Sequence, residues 1–232
     1  MSFGSQIYAD RAAAGLALAR ELQRRLLRPP LIVLGLPRGG VAVAYEVARM
    51  LQAPLDVIVV RKIGMPGQPE LAIGAIASGG VIVRESGLEH EFPELAEGFD
   101  RLVEEQRQEL ERRERIYRAG AAPLELTGKT AILVDDGLAT GSTMLAALRA
   151  AREARAASII VAAPVASPEA ATLVRREADA TVILQTPRTL WAVGQWYRNF
   201  QQVEDAEVCR LLDLSRRAEP SRALPLSERP SV

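Results

Sequence analysis

Two aspartates, Asp135 and Asp136, end the apolar run Ala131–Val134, and Gly137, Leu138, Ala139, Thr140, Gly141, Ser142 and Thr143 follow directly. Adjacent carboxylates offer hard oxygen ligands and hydrogen-bond acceptors, which suits vicinal hydroxyls or Mg²⁺. Small side chains let the backbone close around an anion, and a helix opening at the end of such a loop points unpaired N–H groups and its dipole at that anion. The hydroxyls of Thr140, Ser142 and Thr143 add donors. A cradle of this kind after two carboxylates fits a phosphorylated sugar, with the anion in the loop and the sugar hydroxyls on the aspartates. A Walker-type loop needs Gly-Lys-Ser/Thr, and this loop holds no lysine. Asp-Asp-Gly is also an ordinary turn signal, and Thr or Ser before a helix an ordinary cap; two other segments weigh against that plainer reading.

In the first of these, Pro37, Arg38, Gly39 and Gly40 join the apolar run LIVLGL at 31–36 to the helical pattern VAVAYEVARMLQA. Exposed backbone N–H groups and a guanidinium fork at that turn suit a diphosphate. The second, VVRKIGMPGQPELAIGAIASGG from residue 59 onward, carries Arg61 and Lys62 past a second apolar strand, PLDVIVVRK. Gly64, Pro66, Gly67 and Pro69 mark a loop there, and a Gly79-Gly80 turn inside LAIGAIASGGVIVRE suggests a hairpin.

The elements that must hold these groups follow from periodicity. Ile7, Ala14, Leu18, Leu22 and Leu26 recur at helical spacing from Gln6 to Leu27, and Pro29-Pro30 ends the run. Between Pro93 and Arg118 one long helix is expected, its dense charge read as a solvated face laced with i,i+4 pairs rather than a nucleic-acid patch. The second half alternates strand and helix: TAILV, the acidic loop, TMLAALRAAREA, SIIVAAPV, PEAATLVRREA, TVILQT. Continuous apolar strands alternating with helices predict an α/β protein, a parallel sheet covered on both faces. A last helix is expected near Asp205 to Leu214, and the Pro-, Ser- and Arg-rich residues 215–232 read as a disordered tail.

Composition narrows the function. The chain of 232 residues is 48% hydrophobic, and its 29 basic side chains balance 29 acidic ones. That balance lacks the overall basic field of a nucleic-acid binder. One cysteine, Cys209, cannot form an internal disulfide, which fits a reducing cytoplasm, and with one histidine, His90, a clustered His/Cys metal site is not expected. No apolar run approaches the ~20 residues of a membrane helix, so a soluble cytoplasmic protein is expected.

The order of apolar strand, two acidic residues and a loop closing on Thr-Gly-Ser-Thr, ILVDDGLATGST, resembles position for position the signature of the type I phosphoribosyltransferases. The resemblance implies a Rossmann-like parallel sheet with a small hood. It places one domain over 1–214, with a core at about 31–185 and hood elements in 61–90 and 187–214. It implies transfer of a phosphoribosyl group from phosphoribosyl pyrophosphate, with Mg²⁺, to a nitrogenous base in nucleotide metabolism. Asp135, Asp136, Arg38 and Lys62 would be catalytic, with Asp135 and Asp136 holding the metal directly or through water. Gly39, Gly40, Arg61 and Gly137 to Thr143 would bind substrate. Lys62 and Arg61 would ride a mobile loop that closes over the site, Arg61 alternatively pairing with a structural carboxylate. A homodimer is implied as well.

Acceptor identity does not transfer. Enzymes of that family acting on hypoxanthine and guanine typically carry an aspartate before the Thr-Gly, where this chain has Ala139, and Pro37 to Gly40 departs from the adenine-specific branch. RRERIYR, VDDGLATG and AVGQWYRNF are together more similar to bacterial phosphoribosyltransferase-like proteins, some fused to a hydrolase; no G-x-S-x-G elbow occurs here. Trp191, Trp196, Tyr197 and Phe200 either stack a flat base or anchor the C-terminal segment. Glu70 is a candidate general base, and His90 reads as an exposed bystander. Beside the enzyme stand a non-catalytic module sensing phosphoribosyl pyrophosphate or nucleotides, and a hydrolytic or phosphorylase-like activity.

Overall fold

Asp10 starts the first helix, its carboxylate accepting from the Ala13 N–H at 2.8 Å, a favoured N-cap arrangement. The computed structural model describes residues 7–25, 27–84, 93–119, 121 and 124–218, with backbone alone at 68–72 and 93–97. In chain order the elements are α1 (Arg11–Gln23), β1 (Leu31–Gly35), α2 (Gly39–Leu51), β2 (Leu55–Val57), β3 (Val60–Met65), β4 (Gln68–Ala77) and β5 (Val81–Arg84). Then come α3 (Pro93–Tyr117), β6 (Thr130–Val134), α4 (Ser142–Glu153), β7 (Ser158–Val165), α5 (Pro168–Glu177), β8 (Ala180–Gln185) and α6 (Asp205–Ala218). A five-stranded sheet of order β2-β1-β6-β7-β8 has every neighbouring pair parallel.

Successive strand residues face opposite sides, and the apolar runs therefore feed two cores. Val33, Ile132 and Val134 pack with Leu18 of α1 and Val41 and Val47 of α2. Ile32, Leu34, Ala131 and Leu133 pack with Met144 and Leu148 of α4 and Val174 of α5. Each large aliphatic side chain buried in this way contributes about 1.5–3 kcal/mol. Buried alanines at 147, 150, 151, 170 and 171 bring α4 and α5 close to the sheet. Helices on both faces of a parallel sheet make this the expected α/β architecture, and all strands of the sheet end on the edge where Asp135 stands.

Several boundaries differ from the sequence reading. α1 begins at Arg11 rather than Gln6: Ile7 is exposed, and Tyr8 bridges to Tyr197 instead. PLDVIVVRK is two strands. Ile58 still donates to Gly35 of the parallel sheet, but Val59 exchanges hydrogen bonds with the buried Ser78, and the chain crosses there into an antiparallel sheet β3-β4-β5. The stretch expected as an irregular loop is a β3–β4 hairpin turning at Pro66-Gly67, Gly67 having φ +80°; the hairpin expected at Gly79-Gly80 joins β4 to β5. Along α3, Glu104–Arg107, Arg101–Glu105, Glu109–Arg113 and Glu111–Arg115 form the expected intrahelical pairs. α6 continues through Ala218, past the expected start of a tail at Ser215, and residues 219–232 lie outside the described residues.

Candidate active site at the carboxyl edge of the sheet

Asp135 and Asp136 leave β6 directly beneath the turn that carries Gly39 and Gly40. A methyl group on Gly39 would overlap the Asp136 carboxylate, and one on Gly40 would lie 2.9 Å from Asp135 Oδ1 and 2.7 Å from the Val134 carbonyl oxygen. Only glycine allows that approach, so the two signature segments pack against each other with nothing between them. The Pro37–Arg38 peptide bond is cis. Asp135 Oδ1 accepts the Asp136 N–H at 2.8 Å.

Two groups hold Asp136: Arg11, which the sequence reading did not single out, and Tyr197, which it read only as a stacking or anchoring ring. Arg11 Nε donates to Asp136 Oδ2 at 2.7 Å, and the Tyr197 hydroxyl donates to the Asp136 carbonyl at 2.5 Å. Arg11 also donates to the Gln201 carbonyl at 2.8 Å and lies 3.9 Å from the centre of the Phe200 ring. Nothing in sequence spacing announces Arg11, which sits among the first residues of an ordinary amphipathic helix, 125 positions from its partner.

Beyond the acidic pair the loop is pinned from outside and open within. Leu138 is 2% exposed, so only its backbone faces the site; its N–H donates to Val165 and its carbonyl accepts from Ser167. Ser167 Oγ donates to the Ala139 carbonyl at 2.7 Å. Gly137 makes room for Val193, since a methyl group there would lie 2.5 Å from Val193 Cγ1. Gly141 has φ +78°, and the Ser142 N–H at the start of α4 donates to Thr140 Oγ1 at 3.4 Å. Ala139 and Thr140 are exposed, the Thr140 and Ser142 hydroxyls lie 2.9 Å apart, and Thr143 follows in the first turn of α4. Such a helix N-terminus presents donors to an anion.

Arg38 precedes α2, but its guanidinium turns toward Glu204 and Asp205, at 3.6 and 3.9 Å. Lys62 and Arg61, adjacent on β3, face opposite ways. Lys62 shares the lining of a small cavity with Ser142 and Arg149 on α4, beside the 137–143 loop. Arg61 instead donates to Gln106 Oε1 on α3 at 3.0 and 3.2 Å, an amide rather than the expected carboxylate. Burial, with Arg113 nearby, lowers the Arg61 pKa. The structure therefore brings Lys62 toward the loop and takes Arg61 away from it. The side chain of Glu70 and all of His90 lie outside the described residues.

The aromatic segment divides. Tyr197 stacks on Phe200 at 5.0 Å between centroids and packs with Tyr8, so these rings anchor the C-terminal strap. Trp191 is 84% exposed and borders a cleft of about 510 Å³ with Ala139, Thr140, Ser167, Glu169, Arg188 and Leu190. That cleft opens next to the 137–143 loop.

Burial and the adjacent Asp136 carboxylate raise the Asp135 pKa; burial also raises that of Asp136, against the opposing pull of Arg11. Burial and Asp136 push the Tyr197 hydroxyl up, keeping it a donor. Among the described residues no group of three or more His, Cys, Asp or Glu could hold a metal ion. Two carboxylates fit Mg²⁺, which keeps several waters and is commonly held by one or two carboxylates together with substrate phosphates.

A parallel α/β sheet thus brings an acidic pair, two helix-opening glycines and a small-residue loop together at its carboxyl edge. Residues 4–201 match the phosphoribosyl transferase domain model, and the chain belongs to that family. Two curated relatives from strains of Mycobacterium tuberculosis, each called "Putative phosphoribosyl transferase", are 45% identical over 212 residues, covering 91% of this chain and 48% of theirs. The chain thus spans about half the length of the curated relatives it matches. A crystal structure from Thermus thermophilus is 40% identical with a TM-score of 0.82, over 89% of this chain and 98% of that one.

Proposed function

We propose that this domain transfers the phosphoribosyl group of phosphoribosyl pyrophosphate to a nitrogenous base. The observation that carries the reading is the direct packing of Asp135 and Asp136 against Gly39 and Gly40 at the mouth of the 137–143 loop. In this reading the 5′-phosphate occupies the loop, taking donors from its backbone, from Thr140, Ser142 and Thr143, and from nearby Lys62. The aspartates hold the ribose hydroxyls and favour the positive charge that develops on the sugar. Pyrophosphate lies along the Gly39-Gly40 turn and leaves with the electron pair of its bond to C1, while a base nitrogen forms the new bond and loses its proton. Arg38 serves the pyrophosphate by exchanging Glu204 and Asp205 for it. Mg²⁺, when bound, would offset charge on the pyrophosphate, with the acidic pair supplying at least one protein oxygen, directly or through water.

The base enters the cleft beside Trp191, whose exposed indole offers a stacking face. In this reading the described residues 61–84, with 187–214, serve as the hood, and the family resemblance supports a cytoplasmic homodimer. A panel of purine and pyrimidine bases, each assayed for pyrophosphate release with the wild type and with Trp191→Ala, tests this assignment. Release with one base class, slowed in the variant mainly through the KM for that base, supports it. Pyrophosphate release that needs no added base, or none with any base, contradicts it.

A further inference from the structure

Arg11 is fixed on three sides. Its Nε holds Asp136 at 2.7 Å with the two side chains only 11% and 14% exposed. Its Nη1 holds the Gln201 carbonyl, and its plane lies close to the Phe200 ring. A planar guanidinium meets all three partners at once, whereas an ammonium would meet one. Asp135 is treated differently: its Oδ1 receives the Asp136 N–H, and no cationic side chain bonds its carboxylate among the described residues.

We propose, resting on the phosphoribosyl-transfer reading above, that Arg11 is a positioning residue that divides the acidic pair. It neutralises and aims Asp136, leaving Asp135 as the carboxylate whose negative charge faces the sugar and the metal. The pair then carries one net charge rather than two. Two adjacent carboxylates repel each other, and the Arg11 guanidinium at 2.7 Å from Asp136 offsets that repulsion. Arg11 also reaches the pyrophosphate turn, since a methyl group on Gly39 would lie 3.0 Å from its Nε. Strap, acidic pair and turn therefore share one guanidinium, and the strap acts on the chemistry through it.

A merely structural Arg11 would act through folding alone, and a second buried ion pair provides the comparison. Arg118 binds Asp56 at 2.9 Å, with 12% and 17% exposure, joining the end of α3 to β2. Titration of phosphoribosyl pyrophosphate with and without Mg²⁺ is measured by calorimetry for the wild type, Arg11→Ala, Arg11→Lys, Asp135→Asn, Asp136→Asn, Arg11→Ala/Asp136→Asn and Arg118→Ala. Arg11→Ala weakens binding roughly 10–100-fold, the range for groups that orient ligands, and Arg11→Lys restores part. In the double variant the second change costs less than it does alone. Asp135→Asn loses the Mg²⁺ dependence, and Asp136→Asn keeps it at lower affinity. Arg118→Ala melts earlier with wild-type affinity. Wild-type affinity in Arg11→Ala, or equal loss of Mg²⁺ dependence in the two asparagine variants, removes the proposal and leaves the phosphoribosyl reading standing. No binding by the wild type overturns both.

Discussion

Replacing Gly40 by alanine probes the contact on which the site rests. The added methyl group lies 2.7 Å from the Val134 carbonyl oxygen and 2.9 Å from Asp135 Cα, both main-chain atoms of the sheet. It falls short of the ~3.4 Å of ordinary contact by about 0.7 Å, and neither atom belongs to a side chain that can swing away. Overpacking of this kind costs about 1–3 kcal/mol. Alanine recovers up to ~1 kcal/mol over glycine in a helix, so the net loss is about 0–2 kcal/mol. For a domain of this size that lowers Tm by up to roughly 8 °C. Displacing the turn from the acidic pair by a sizeable fraction of an ångström weakens phosphoribosyl pyrophosphate binding roughly 10–100-fold. The control is Gly98→Ala on α3, where the new methyl group meets nothing within 4 Å; it raises stability by ~0.5–1 kcal/mol and leaves affinity unchanged. Thermal denaturation and calorimetric titration of both variants read the two effects. A Gly40→Ala protein with wild-type Tm and affinity refutes the proposed packing.

Three further outcomes follow from the same geometry. Tyr197→Phe removes the donor to the Asp136 carbonyl and costs about 1–3 kcal/mol in chemical denaturation. Arg118→Ala strands the half-buried Asp56 and costs roughly 3 kcal/mol by the same measurement. Because the folded Asp135 carboxyl has a raised pKa, it binds its proton more tightly than the unfolded chain does, and stability falls as pH rises through that window. Asp135→Asn therefore melts later at neutral pH, by about 0.5–2 kcal/mol of added stability. Affinity for phosphoribosyl pyrophosphate in the wild type is lost as pH falls through the same raised value, a titration that the variant does not show.

What was legible in the sequence was local or periodic. The apolar runs at 31–36, 130–134 and 158–165 read as buried parallel strands because nothing else tolerates such runs between helices, and the acidic loop and glycine turn stood out by residue type. PLDVIVVRK read as one strand because its apolar character does not break where the chain leaves one sheet for another; the break is made by Ser78, nineteen residues away, whose hydroxyl takes the Val59 N–H. Arg61 and Lys62 both read as candidates for the loop, Arg61 with a structural partner as the alternative; neighbours on a strand face opposite ways, and which faced the loop depended on where α3 docked. The Arg11–Asp136 pair was invisible because its residues lie 125 positions apart and each has an adequate local explanation without the other.

The most direct test of the central claim is calorimetric titration of the wild-type chain with phosphoribosyl pyrophosphate, with and without Mg²⁺, beside the Asp135→Asn/Asp136→Asn variant. The account predicts Mg²⁺-dependent binding that the double variant loses while keeping its fold. Equal binding by the variant, or no binding by the wild type at millimolar ligand, contradicts it.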